Sequence, residues 1–288
     1  MTSTASQAVL PATLRLGAVH LTVSDLDRSV AYYQDAIGLQ VHRRDYGVAA
    51  LGAGGEDLLV LTEEPGARPA GRHAGLYHFA LLHPSREELA RAVLRLAARR
   101  TPVDGASDHG VSEALYLSDP DGNGIELYAD RPRDQWPPAE RGERIGMYTM
   151  ALDVRGLVDT VAGEEPRPHA DAGLTMGHVH LHVGDLQRSL GFYRDVVGFE
   201  RMASLPSAAF VSAGGYHHHL GFNTWRGEGI PPAPPGTVGL RHWTVLLDDE
   251  ADLAALRARL EAAGTPPDGD FTVRDPSGNA LRFALAPR

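Results

Sequence analysis

The sequence predicts an α+β fold of four βαβββ modules, and three observations carry that reading. The stretch from Gly17 to Leu39 recurs, position for position, as Gly177 to Phe199. A second pair of turns, Asp119-Pro-Asp-Gly-Asn123 and Asp275-Pro-Ser-Gly-Asn279, stands at nearly the same offset behind the two copies. Within each half, a strand of period two followed by a capped helix starts a second time. One half of the chain is therefore a duplicate of the other, and each half divides again.

Taken in order, Val19 to Val23 alternates as a strand, Asp25 caps a helix running through Arg28 and Ser29 to Tyr33, and Gly38 ends it. Strands are expected near 40–45, 48–52 and 57–62. A strand over 77–82 restarts the series, Ser85 opens a helix over 86–100, and strands follow at 103–107, 112–118 and 124–129. The second half repeats this from 177 and from 241. Residues 1–13 read as a disordered lead. Residues 14–131 read as a first domain holding modules one and two, and 173–288 as a second holding modules three and four. The segment 132–172 between them is rich in Pro, Arg and Glu. It is too long for an idle linker, and Met147 to Asp153 is its candidate for an added strand or a packing segment.

Composition narrows the function. The chain has 288 residues, 37 acidic against 27 basic, with 14 His and no Cys. Without Cys there is no disulfide framework, thiolate metal site or cysteine nucleophile, so a bound metal rests on His, Asp and Glu. A net charge of −10 argues against a nucleic-acid partner, which needs a concentrated basic face. No apolar run of about 18 residues suggests a membrane span. The start of the chain lacks the basic and apolar regions of a secretory signal. A cytoplasmic protein acting on small molecules is the expectation.

The opening pattern Gly-x-Val-His-Leu-x-Val-x-Asp-Leu and the closing pattern Asp-Pro-x-Gly-Asn-x-Ile-Glu resemble those of the vicinal oxygen chelate superfamily. Glyoxalase I, extradiol ring-cleaving dioxygenases, and fosfomycin and bleomycin resistance proteins belong to it. The stretch His109 to Pro132, with Gly214-Gly-Tyr-His-His-His-Leu-Gly-Phe222, is similar to the catechol 2,3-dioxygenase branch. The resemblance spans nearly the whole chain and implies two half-open barrels, the glyoxalase/extradiol dioxygenase fold. In that fold the first and last strands of paired modules face a shared metal.

By this register the first strands offer Ala18, His78, His178 and His242, and the last strands Val60, Glu126, His219 and Arg282. Modules one and four, with Ala18, Val60, His242 and Arg282, cannot hold a divalent cation. The resemblance therefore implies a metal between modules two and three, on His78, His178 and Glu126, with His219 a fourth ligand if it points inward. Two imidazoles and a carboxylate leave about three octahedral positions open, as in non-haem Fe(II) oxygenases. Fe(II) is the implied metal, and Mn(II), Zn(II) or Ni(II) stay open.

The same resemblance maps a catalytic His to His218, a substrate-binding Tyr to Tyr116 and a further His to His109. Strand alternation, however, would place His217 and His219 on one face and His218 on the other. His180 and His182 read as structural or pocket-lining residues, His242 as a core or pocket His, and Trp225 as a pocket wall or a core residue. A different pairing, of modules one and two, would make His20, His78 and Glu126 the ligands.

The leading reading is an extradiol dioxygenase taking a small aromatic diol and O2. A glyoxalase-like isomerase or lyase is the alternative, and a drug-binding resistance protein a third. No membrane or nucleic-acid partner is expected, and oligomeric state is left open, a homodimer included.

Overall fold

The computed structural model describes residues 9–139 and 142–287. The first module comprises β1 (Arg15–Leu16), β2 (Val19–Val23), α1 (Leu26–Tyr32), β3 (Gln40–Asp45), β4 (Val48–Gly52) and β5 (Asp57–Glu63). The second follows as β6 (Gly75–Leu82), α2 (Arg86–Arg99), β7 (Gly105–Asp108), β8 (Ser112–Ser118) and β9 (Gly124–Asp130). The connector adds β10 (Met150–Ala151) and α3 (Val154–Val158). The third module is β11 (Thr175–His182), α4 (Leu186–Gly191), β12 (Glu200–Leu205), β13 (Ala208–Ser212) and β14 (Leu220–Asn223). The fourth is β15 (Gly239–Leu247), α5 (Glu250–Ala262), β16 (Thr272–Arg274) and β17 (Ala280–Leu285).

The helices begin where their caps stand. Asp25, Ser85, Asp185 and Asp249 each accept a backbone N–H of the first helical turn. α1 and α4 run on into wider π turns, which end at Gly38 and Gly198 with φ of 82° and 99°. A left-handed residue closes both helices there, a conformation that glycine adopts without a Cβ penalty.

The fourth module departs from expectation, having two strands after its helix instead of three. Pro266 and Pro267 fall where the missing strand would run, and neither can donate a ladder hydrogen bond.

Two curled half-barrel sheets result, and they cut across the halves of the chain. One has nine strands in the order β10-β7-β8-β9-β6-β11-β14-β13-β12. The other has the order β16-β17-β15-β2-β5-β4-β3, with β1 added on β15. Modules two and three thus share one sheet, joined where β6 lies antiparallel to β11. Modules four and one share the other, through β15 and β2.

The duplicated turns bind the halves of each copy together. Asp119 accepts the N–H groups of Asp121 and Asn123 on one oxygen and the buried Tyr33 hydroxyl, at 2.8 Å, on the other. Asp275 does the same with Ser277, Asn279 and Tyr193. Each turn therefore aims the strand behind it, β9 or β17, from an anchor in the preceding module.

The connector is built in. β10 pairs with β7, and Arg91 of α2 grips Glu164 at 2.7 Å. The first eight residues of the expected lead lie outside the described residues. Leu10, near its end, is buried, and its N–H donates to the Gly198 carbonyl at 2.9 Å. Among the described residues, no helix is long and apolar enough to cross a membrane.

Candidate metal centre

At the junction of β6, β9 and β11 three side chains converge. Among the described residues, His78, Glu126 and His178 form the cluster able to hold a metal ion, with ligand atoms all within 4.8 Å of one another. All three are buried, at 5%, 3% and 2% exposure. Strand parity puts them there. Glu126 pairs with Ala80 in the parallel β6–β9 ladder, and His178 pairs with the same Ala80 across the β6–β11 seam. The three therefore meet on the concave face.

His178 Nε2 donates to Glu126 Oε2 at 3.1 Å. His78 Nε2 lies 3.0 Å from the same oxygen but off the line a hydrogen bond needs. Both His78 ring nitrogens and His178 Nδ1 are buried without a hydrogen-bond partner. Burial pushes the His178 imidazole down to about 4, against the pull of Glu126. Burial works to raise the Glu126 carboxyl, but the His178 and His78 imidazoles outweigh it and hold that carboxyl well below the usual range. Near neutral pH, His178 is uncharged and Glu126 ionised, the protonation states metal ligation requires.

A cavity of about 570 Å³ opens over this cluster, with Tyr77, Tyr116, His180, Phe210, His218 and Trp225 in its walls. Tyr116 stands opposite Glu126 in the β8–β9 ladder. His109 donates from Nδ1 to the Tyr148 carbonyl at 3.0 Å, so its Nε2 is free to accept the Tyr116 hydroxyl at 2.7 Å. His218 packs its ring 4.1 Å from that of His178. Tyr116, His109 and His218 are thus all brought to the cluster.

His219 is not, which corrects its reading as a fourth ligand. Its Nδ1 accepts the Ser212 hydroxyl at 2.8 Å and the Ala213 N–H at 3.3 Å. The physical reason is that β14 begins only at Leu220. The His triplet lies in irregular backbone ahead of it, where strand alternation does not decide which side chain faces inward. His217 turns to Asp130 at 2.9 Å instead.

His180 and His182 are tied to Asn223, which donates to His180 Nε2 at 2.9 Å and accepts from His182 Nδ1 at 2.8 Å. His20 stacks on His242 at 3.9 Å in the other sheet, so the pairing of His20 with His78 and Glu126 does not occur. There Arg282 pairs with Thr244 as Glu126 pairs with Ala80. A guanidinium thus replaces the carboxylate at the same register.

Some wall residues escaped sequence reasoning. His180 pairs with His78, but the next residue, Leu181, pairs with Leu76. Tyr77 is therefore an extra residue on β6, a bulge that lets it and His78 both face the cavity. Ile145 to Thr149 of the connector also line it. Their only sequence signal is the apolar run in a segment too long for a plain linker.

The Glyoxalase/Bleomycin resistance protein/Dioxygenase superfamily profile matches residues 15–127 and 175–283. With the half-barrels and the centre inside one of them described, the chain belongs to that superfamily. A Bacillus subtilis (strain 168) protein named catechol-2,3-dioxygenase is 43% identical over 279 residues, covering 94% of this chain and 97% of that protein. Glyoxalase I from Zea mays shares the fold with a TM-score of 0.56 at 20% identity, over 95% of this chain and 92% of that one. The cppA protein of Streptococcus pneumoniae does so with a TM-score of 0.57 at 14% identity, over 94% and 99%.

Proposed function

We propose that this chain is an extradiol dioxygenase. It opens the ring of a small catechol-type diol with O2, using Fe(II) held by His78, His178 and Glu126. The observation that carries the reading is the set of orphaned nitrogens around one ionised carboxylate. A buried polar atom left unpaired costs about 1–3 kcal/mol, and a divalent cation bound there would remove that cost. The name of the 43% identical relative points to the same chemistry. When bound, the ferrous ion supplies a conduit for electrons between diol and dioxygen. A reducing cytoplasm would keep it ferrous.

The protein's own groups do the rest. Tyr77, Phe210 and Trp225 wall a space suited to a flat ring. The Tyr116 hydroxyl gives its hydrogen to His109, so its oxygen is left to accept a hydrogen bond from the diol. Burial, then Glu126, raises its phenol pKa, which keeps that hydrogen in place. Burial and the neighbouring His178 and His217 push the His218 imidazole well below its ordinary pKa, so near neutral pH it is uncharged and has a bare nitrogen to accept a hydrogen bond.

The test is anaerobic loading with Fe(II), then catechol and air, read by the absorbance of a yellow ring-opened semialdehyde. Turnover supports the proposal. Silence with several catechols, together with activity on a hemithioacetal under Zn(II) or Ni(II), would replace it by the isomerase reading.

A further inference from the structure

We infer that Asp130 and His217 are positioning residues that fix His218 as its Nδ1–H tautomer, so that Nε2 meets the cavity as a hydrogen-bond acceptor. The consequence for ring cleavage rests on the function proposed above, whereas the hydrogen-bond chain stands on its own distances.

His217 is fully buried and bonded at both ring nitrogens. Its Nε2 lies 2.9 Å from Asp130 Oδ1, and its Nδ1 lies 2.8 Å from His218 Nδ1. A carboxylate can only accept, so the proton on the first contact belongs to His217 Nε2. When His217 carries that one ring proton its Nδ1 is bare, and the proton on the second contact belongs to His218. That leaves Nε2 of His218 without a hydrogen, on a ring that lines the cavity. With the opposite tautomer, the same nitrogen would offer a donor to a diol hydroxyl and compete with the hydroxyl's own hydrogen.

The chain is anchored on the strand that carries Glu126. Glu126, Tyr128 and Asp130 alternate along one face of β9. The Asp130 carboxylate also accepts the Tyr216 hydroxyl at 3.3 Å, and that hydroxyl lies 2.7 Å from the Tyr128 hydroxyl. Tyr128 in turn sets its ring 4.9 Å from His178. The element that places the carboxylate of the cluster therefore also sets which nitrogen of His218 is bare.

The tautomer can be read without turnover, by long-range 15N–1H correlation of histidine-labelled protein loaded with diamagnetic Zn(II). His218 is expected as the Nδ1–H form. In Asp130→Asn, the amide can turn an N–H toward His217 and reverse the chain, so His218 should shift toward Nε2–H. An Nε2–H or cationic His218 in the unaltered protein overturns the inference, as does an unchanged tautomer in the variant. With Fe(II) and a catechol, Asp130→Asn should lower kcat roughly 10-fold or more, with KM and iron content unchanged. A wrong His tautomer can cost up to about 10⁴ in a triad. An unaltered kcat overturns the inference too. If the unaltered protein cleaves no catechol, the functional reading fails while the tautomer measurement still decides this one.

Discussion

At Glu126 two effects oppose each other. Burial favours the neutral acid, the imidazoles of His178 and His78 favour the carboxylate, and the imidazoles prevail. Glu126→Gln keeps the volume and removes the charge. Iron retained after gel filtration is expected to fall by more than the roughly 10–100-fold typical of losing an outer partner of a metal site. Wild-type iron content in a folded variant would contradict the assignment. Tyr116→Phe removes one hydroxyl from the cavity and leaves the His109 ring without its 2.7 Å partner. Its kcat should drop about tenfold, the worth of one hydrogen bond near 1.4 kcal/mol, with iron content intact. A kcat within error of wild type would remove Tyr116 from the reaction.

Among the elements, the Tyr128 side chain of β9 reaches past β6 to β11, where a Cβ on Gly177 would stand 1.8 Å from its hydroxyl. Gly177→Ala therefore displaces the Tyr128 ring packed beside His178. It should cost about 1–3 kcal/mol, as overpacking does, seen as a lower midpoint in urea. An unchanged midpoint would mean that the ring yields easily. How much of this was legible in the sequence follows from backbone regularity. His78, Glu126, His178 and Tyr116 all lie within strands, so the register implied by the family resemblance reached them even though bulges at Tyr77 and Gly177 interrupt the β6–β11 ladder. His219 was misplaced because its triplet precedes β14. Tyr77 was missed because a bulge is not written in residue type. Asp130 was missed because its role depends on His217, which is 87 residues away. The absent strand of the fourth module was signalled by Pro266 and Pro267, which the repeat pattern obscured.

For the whole molecule, the sheets exchange partners between the halves of the chain, so one half alone lacks either His78 and Glu126 or His178. The second half-barrel keeps the fold and gives up the ligands. Its stacked His20 and His242, together with His83 beside α2, make the protein's stability depend on acid. Burial pushes their imidazoles to about 3 for His20, about 4 for His242 and about 3 for His83. They stay neutral in the folded chain down to those values, whereas in the unfolded chain they take up protons near 6.5. Between about pH 4 and 6.5 the unfolded state binds more protons, so stability should rise with pH across that window. Metal-free protein melted at steps from pH 4.5 to 7 checks this, and a flat or falling Tm would contradict it.

The most direct test of the central claim is mass analysis of the product formed from a catechol under 18O2 by the Fe(II)-loaded protein. A ring-opened product cleaved beside and not between the hydroxyls, with label retained in its new carboxylate while the aldehyde oxygen exchanges with water, is the predicted result. An unlabelled carboxylate, cleavage between the hydroxyls, or no oxygen uptake at all would contradict it.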